Sequence, residues 1–332
     1  DSIIPGVLIG GIRSDVPCIM LTGGPQEVCK SEGRSVVMSE LDQLVFGADY
    51  ASDEAREKIK YLEDHVCPGP GACSLMGTAN TMQILAEGLG MALPGSSTVP
   101  AVSAEKERYA TQTGRRIVEL VKENIKPKDI LTRDALLNGV ILTMALAGST
   151  NAVLHLLSIA REVGVRLTLD DFDRLSDTVP VISRVIPTGK ATVIDLYNAG
   201  GVPAVMGEMK DFLNREALTV SGHTVGELCE LRRSSDHATL TSAKEPVFAG
   251  GGIAVIRGNL SPDGAICRTT TISESIRIFE GPARVFHSDE DAHSAVVSGR
   301  IKKGDVVIIR YEGPRGAPGM REMMMTTDAL VG

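Results

Sequence analysis

Residues 67–82 read CPGPGACSLMGTANTM, a loop of small residues and two cysteines that runs straight into a helical pattern. The continuation, NTMQILAEGLGMAL (80–93), brings Met82, Leu85, Leu89 and Leu93 near one face, and Pro94-Gly95 stops it. Upstream, PCIMLTGG (17–24) reads as a buried strand ending in a glycine turn, and DSIIPGVLIGG at the start reads as loop and strand. Helical spacing resumes in SVVMSELDQLVFGADY, and SDEAREKIKYLEDHV (52–66) opens with Ser52 as N-cap and acidic residues in its first turn, where the helix dipole favours them. Short apolar runs alternating with long helical patterns are the signature of an α/β layer.

Further along, SAEKERYATQTGRRIVELVKENI is long and amphipathic, while RDALLNGVILTMALAG is apolar nearly all round and so predicts a helix buried inside the domain. STNAVLHLLSIAREVG follows it across Gly148, and TLDDFDRLSD (168–177) repeats the Thr-capped acidic start. From about residue 217 the texture changes to ALTV, GIAVIRGN, AICRTT, PARVFHS and DVVIIRY, separated by Gly, Pro, Asp and Asn. These short strands predict a β-barrel or sandwich unit. The expected architecture is therefore a layered α/β domain over 1–235 and a smaller, mostly β, barrel-like domain over 236–332.

Composition narrows the function. With 332 residues and 43% hydrophobic content the chain can bury a sizeable core, and two domains are expected. The net charge of -8 is spread along the chain, which leaves no footprint for nucleic acid or an anionic membrane surface. No apolar run approaches the roughly 18–20 residues of a membrane span, and the N-terminus lacks the basic start of a signal peptide. A soluble cytoplasmic protein is expected. Six cysteines are too sparse for a disulfide scaffold in a chain this long. The chain begins without Met and ends without a charged tail, so it reads as an excised central piece.

A thiolate ahead of a helix N-terminus is stabilised by the unpaired N–H groups there, which makes Cys73 a candidate ligand or nucleophile if the helix begins near Thr78. Gly69, Gly71 and Gly77 let the backbone pass close to a bulky or anionic group such as a phosphate or an iron–sulfur cluster. Against this, the Cys67/Cys73 spacing matches no common zinc motif, no phosphate-loop pattern is present, and Pro/Gly loops with a buried cysteine are ordinary. On the residues alone both readings stay open.

The loop, with LAEGLGMALPGSS and PAVSAEKERYA after it, resembles the cluster-binding segment of the dihydroxy-acid and sugar-acid (phosphogluconate) dehydratase family. Further blocks resemble that family in order: TGGP (22–25), AGSTNAVLHLLSIAREVGV (147–165), TLDDFDRLSDTVP, GNLSPDGAICRTT (258–270), GPARVFHSDEDA and IKKGDVVIIRYEGPRGAPGMREM. The resemblance implies an iron–sulfur cluster, usually [2Fe-2S] with [4Fe-4S] as the alternative, held by three cysteines with one iron open to the substrate hydroxyl. Cys73 matches the third of these. It also implies Mg²⁺ bound to the substrate carboxylate, with Asp1 matching one acidic ligand and Glu322, in GAPGMREM, another. The implied substrate is a small dihydroxy or sugar acid, and the implied assembly a homodimer or higher homo-oligomer.

The sequence departs from the family pattern at Ser2, where a lysine that serves as its carbamate is expected, and a serine cannot replace it. The other two cluster cysteines, a further acidic ligand and the serine taken as the base fall outside the chain. The isolated chain is therefore expected to be inactive. The implied reaction is removal of water from a 2,3-dihydroxy acid to give a 2-keto acid in branched-chain amino-acid biosynthesis. A gluconate- or xylonate-type reaction and an inactive homologue are the alternatives. Cys67 reads as a small loop residue, Cys18 and His155 as core residues, and His287 and His293 in HSDEDAH as part of a solvated helix start.

Overall fold

The computed structural model describes residues 3–31, 33–46, 52–313 and 323–331. In chain order the elements begin with α1 (Ile3–Ser14), the hairpin β1 (Cys29–Ser31) and β2 (Arg34–Val36), then α2 (Met38–Phe46) and α3 (Asp53–His65). Helices follow: α4 (Thr78–Gly88), α5 (Ala104–Glu123), α6 (Pro127–Ile130), α7 (Arg133–Ala145), α8 (Asn151–Val163), α9 (Leu169–Ser176), α10 (Val193–Asn198), α11 (Gly201–Glu208) and α12 (Val225–Leu228). The last are β3 (Ile253–Ile256), β4 (Ala265–Arg268), β5 (Ala283–Phe286), α13 (Asp289–Val297), β6 (Val306–Ile309) and α14 (Met324–Val331). The chain is thus a mixed α/β protein, and among the described residues no helix is long and apolar enough to cross a membrane. It divides into two compact units, one of Asp1–Glu27 with Gly69–Ile272, the other of Val28–Pro68 with Ser273–Gly332.

The first unit is organised around α7. Its Leu136, Val140, Ile141, Leu142 and Met144 are all buried, as are Met82, Ile84 and Leu85 of α4 and Val153, Leu156 and Ile159 of α8. Close helix approach depends on Gly139, where an added Cβ would lie 2.9 Å from a Leu89 methyl and 3.2 Å from one of Leu156. The helix starts follow local chemistry. Ser103 accepts the Lys106 N–H, Thr132 accepts that of Ala135, and Thr168 forms a reciprocal capping box with Asp171. Asp171 then binds Arg133 at 2.6 Å, and that guanidinium and the N-cap hold its carboxyl below the usual range despite its burial.

β3 and β4 pair antiparallel, with Ile253 opposite Arg268 and Ile256 opposite Ala265. The hairpin is pressed against the chain leaving α7, because a Cβ on Gly252 would lie 2.3 Å from Ala147 Cα. In the second unit Cys29, Val36, Leu41, Leu62 and Val66 form a small core. There β5 and β6 pair parallel, with Ala283 opposite Val306, and α13 makes the crossover that a parallel pair requires. Ser288 caps α13 by accepting the Asp291 N–H, so the acidic HSDEDAH stretch is a helix start.

Three expectations are corrected. The described strands pair only two by two, and no sheet closes into a barrel. The reason is the segment between PARVFHS and DVVIIRY, which folds as a helix and forces parallel pairing where a barrel of short hairpins was expected. The start of the chain is the helix α1, not loop and strand, because Pro5, Leu8 and Ile12 recur on one buried face. PCIMLTGG forms no named strand; it is extended and joined by isolated parallel bridges, Met20 to Ala92 and Pro25 to Ala72.

Because Leu142 is fully buried and its methyl abuts Gly88, Leu142→Ala is expected to leave a cavity and destabilise the protein by ~2–5 kcal/mol. Urea unfolding monitored by circular dichroism measures this, and a change below ~1 kcal/mol would contradict the central place given to α7.

Candidate functional site

The loop that carries Cys73 is laid along the extended TGGP stretch. Ala72 donates its N–H to the Gly24 carbonyl at 2.9 Å and accepts the Gln26 N–H at 2.7 Å. The Ser74 hydroxyl adds a bond to the Gln26 carbonyl at 3.1 Å. Gly71 makes this contact possible, since it has φ +132° and a Cβ there would stand 2.4 Å from Gln26 N. On its other side the loop is held by Met76, which donates to Ile186 O at 2.8 Å, and by Ser74, whose carbonyl accepts the Val193 N–H at 2.8 Å.

Helix α4 begins at Thr78 with Gly77 as its N-cap and no side-chain cap. The half-buried Cys73 sulfur lies beside this helix start, for a Cβ on Gly77 would be 3.8 Å from its Sγ. The side-chain amide of Asn80 donates to the carbonyls of Cys73 and Leu75, and the Asn80 Oδ1 accepts from Gln83 Nε2 at 2.9 Å. Gln83 Oε1 in turn accepts the Gly24 N–H. A closed circuit of buried amides therefore ties the backbone of Cys73 to TGGP. The start of α8 meets the same place. Thr78 Oγ1 lies 2.9 Å from Ser149 Oγ and accepts from Asn151 Nδ2 at 2.9 Å, while Thr81 Oγ1 accepts the Ser149 N–H at 3.0 Å.

Two charged groups hold the backbone behind the loop. Glu87, at the far end of α4 and 1% exposed, accepts the N–H groups of Gly95 at 2.5 Å and Ser97 at 3.1 Å. Burial nevertheless pushes its carboxyl up to about 7. The Lys106 ammonium donates to the carbonyls of Ser96 at 2.7 Å and Thr22 at 3.2 Å, and burial pulls it down to about 8 against the attraction of Glu87. Opposite charges thus grip one turn, and Lys106 links that turn to TGGP. Neither residue stood out in the sequence. A glutamate inside the apolar run NTMQILAEGLGMAL was the available signal.

These ordered segments are matched by two family models. The N-terminal model of dihydroxy-acid/6-phosphogluconate dehydratases covers residues 1–228, and the C-terminal model of the same family covers 238–332. The chain belongs to the dihydroxy-acid/6-phosphogluconate dehydratase family. The dihydroxy-acid dehydratase of Ruminiclostridium cellulolyticum is 45% identical over the whole chain, that of Pyrococcus furiosus 44% and that of Pyrococcus abyssi 46%. The chain spans 60% of the length of each of these curated relatives.

Of the residues that the family resemblance singles out, Cys73 is described and Asp1 and Glu322 lie outside the described residues, as does Ser2. Among the described residues no group of three or more His, Cys, Asp or Glu side chains could hold a metal ion. The donor set seen is therefore one thiol at a helix start. The other cysteines lie in different surroundings. Cys67 is exposed, and burial pushes the thiols of Cys18 and Cys267 up and that of Cys229 up to about 11. Burial lowers the pKa of the half-buried His155.

Glu87 gives the site a pH signature. Its folded pKa of about 7 lies above the ordinary 4.5, so between these values the folded chain holds a proton that the unfolded chain has released. Its contribution to stability is full below 4.5 and declines as pH rises towards 7. Glu87→Gln is expected to remove that decline, which denaturant midpoints of both proteins across this range would measure. Parallel pH profiles would contradict the burial of the charge.

Proposed function

We propose that this chain forms the larger part of a hydro-lyase that removes water from a 2,3-dihydroxy carboxylic acid to give a 2-keto acid, as in branched-chain amino-acid biosynthesis. The observation that carries the reading is the match of the whole chain, at 42–46% identity, to relatives named dihydroxy-acid dehydratase. In the reaction the C2 proton and the C3 hydroxyl leave as water, and the resulting enol tautomerises to the ketone.

Cys73 is assigned as one thiolate ligand of a [2Fe-2S] cluster, and its place beside the start of α4 supports this, because the N–H groups there favour the ionised sulfur. When bound, the cluster supplies a Lewis acid for the departing hydroxyl. The amide circuit through Asn80, Gln83 and Gly24 orients the loop so that the thiolate need not be positioned by the metal. Asp1 and Glu322 are assigned as oxygen ligands of Mg²⁺, whose preference for carboxylates they meet. The assignment extends to a homo-oligomer in the cytoplasm with a domain boundary at 235/236. The family models' common description leaves a sugar acid as the second substrate class, and the names of the relatives favour the dihydroxy acid.

Iron and acid-labile sulfide per chain after anaerobic reconstitution, in wild type and Cys73→Ala, test the ligand. Iron and sulfide lost in the variant are expected, and equal content in both would overturn the role of Cys73. Turnover of 2,3-dihydroxy-3-methylbutanoate over gluconate by the loaded protein supports the substrate, and the reverse preference selects the sugar-acid reading. Iron-loaded protein that turns over neither acid would bear out the inactivity expected of the isolated chain, to which Ser2 already points.

A further inference from the structure

Arg268 closes β4, and its guanidinium reaches the Cys73 loop, where Nη2 donates to the Met76 carbonyl at 3.2 Å. Its Nε is enclosed and finds no acceptor, and among the described residues no carboxylate lies within ion-pair distance of it. Other guanidiniums of this unit are satisfied differently: Arg116 has Glu123, and Arg133 has Asp171. Arg268 has five N–H donors in a rigid fork and is given one carbonyl. Burial pulls its pKa down to about 10, which still leaves it charged at neutral pH.

The surroundings add positive potential. Met76 stands two residues ahead of Thr78, the first residue of α4, and the start of α8 joins that point through the Thr78–Ser149 contact of 2.9 Å. Two helix N-termini and an uncompensated guanidinium therefore converge on the stretch between Met76 and Ser149. Arg268 is half-buried with its Nε shut off from water, and an anion at the outer N–H donors is the partner that its charge lacks. With Nε enclosed and Nη2 bonded to Met76, the outer nitrogens of the guanidinium can still donate to a carboxylate oxygen.

We propose that Arg268 receives the carboxylate of the acid on which this protein acts. The identity of that acid rests on the dehydratase reading above; the presence of a carboxylate site does not. One carboxylate oxygen on the guanidinium leaves the other free for a metal ion, so the two modes of recognition are compatible.

The test titrates the reconstituted protein with 2,3-dihydroxy-3-methylbutanoate, its uncharged methyl ester and isobutyrate, in wild type, Arg268→Lys and Arg268→Gln, reading affinity by calorimetry. Arg268→Gln is expected to weaken the dihydroxy acid about 10- to 100-fold while leaving the ester unchanged, with Arg268→Lys between the two. Arg268→Lys keeps the charge and the packing of the stem, so the prediction survives if Arg268→Gln fails to fold. Acid and ester binding wild type equally, or the acid binding Arg268→Gln as well as wild type, would overturn the proposal. Loss of iron in Arg268→Gln with acid affinity retained would overturn it too, because the guanidinium would then serve the cluster. Isobutyrate binding in an Arg268-dependent way, with no gain from the two hydroxyls, would keep the carboxylate site and reject the dihydroxy acid.

Discussion

The pairing of Ala72 with the TGGP stretch is the constraint on which the site depends. Both backbone groups of Ala72 are used, one by Gly24 and one by Gln26, so the residue immediately before Cys73 has no rotational freedom left. Gly71 admits the close approach, and the amides of Asn80 and Gln83 carry the same restraint into α4. A loop held in this way does not depend on the flexibility usual for glycine-rich segments. Its conformation is set by hydrogen bonds to residues that are distant in sequence.

Behind this loop the protein buries charge to hold backbone. Glu87 accepts two N–H groups of the 94–97 turn, and Lys106 donates to a carbonyl of the same turn. Each ion is poorly solvated, which is why their pKa values move towards each other, to about 7 and about 8. Replacing such a pair with apolar residues often costs little stability, but the backbone groups they serve would then be left without partners. Arg268 is the contrasting case in the same unit, a cation with one carbonyl and, among the described residues, no acid.

The helices were legible because their signals are local. Ser52, Ser103, Thr132 and Thr168 cap within three residues of themselves, and α7 declared its burial by being apolar on every face. The strands were less legible. PARVFHS and DVVIIRY each read correctly as β, yet their parallel pairing and the helix between them decide the architecture, and periodicity within a short run says nothing about its partner. The start of the chain misled because Gly6, Gly10 and Gly11 lower helix propensity, and the buried face of Leu8 and Ile12 overrode it.

By itself the sequence determined the family, through blocks that recur in order along the whole chain, and it marked Cys73 as a thiol ahead of a helix. The tertiary structure alone decided what surrounds that thiol. The Arg268 to Met76 bond joins residues 192 positions apart, and the Gln83 bond to Gly24 joins residues 59 apart. A side chain's local sequence cannot disclose such partners, because they are chosen by how helices and hairpins pack around one core and by which buried polar groups must then be satisfied.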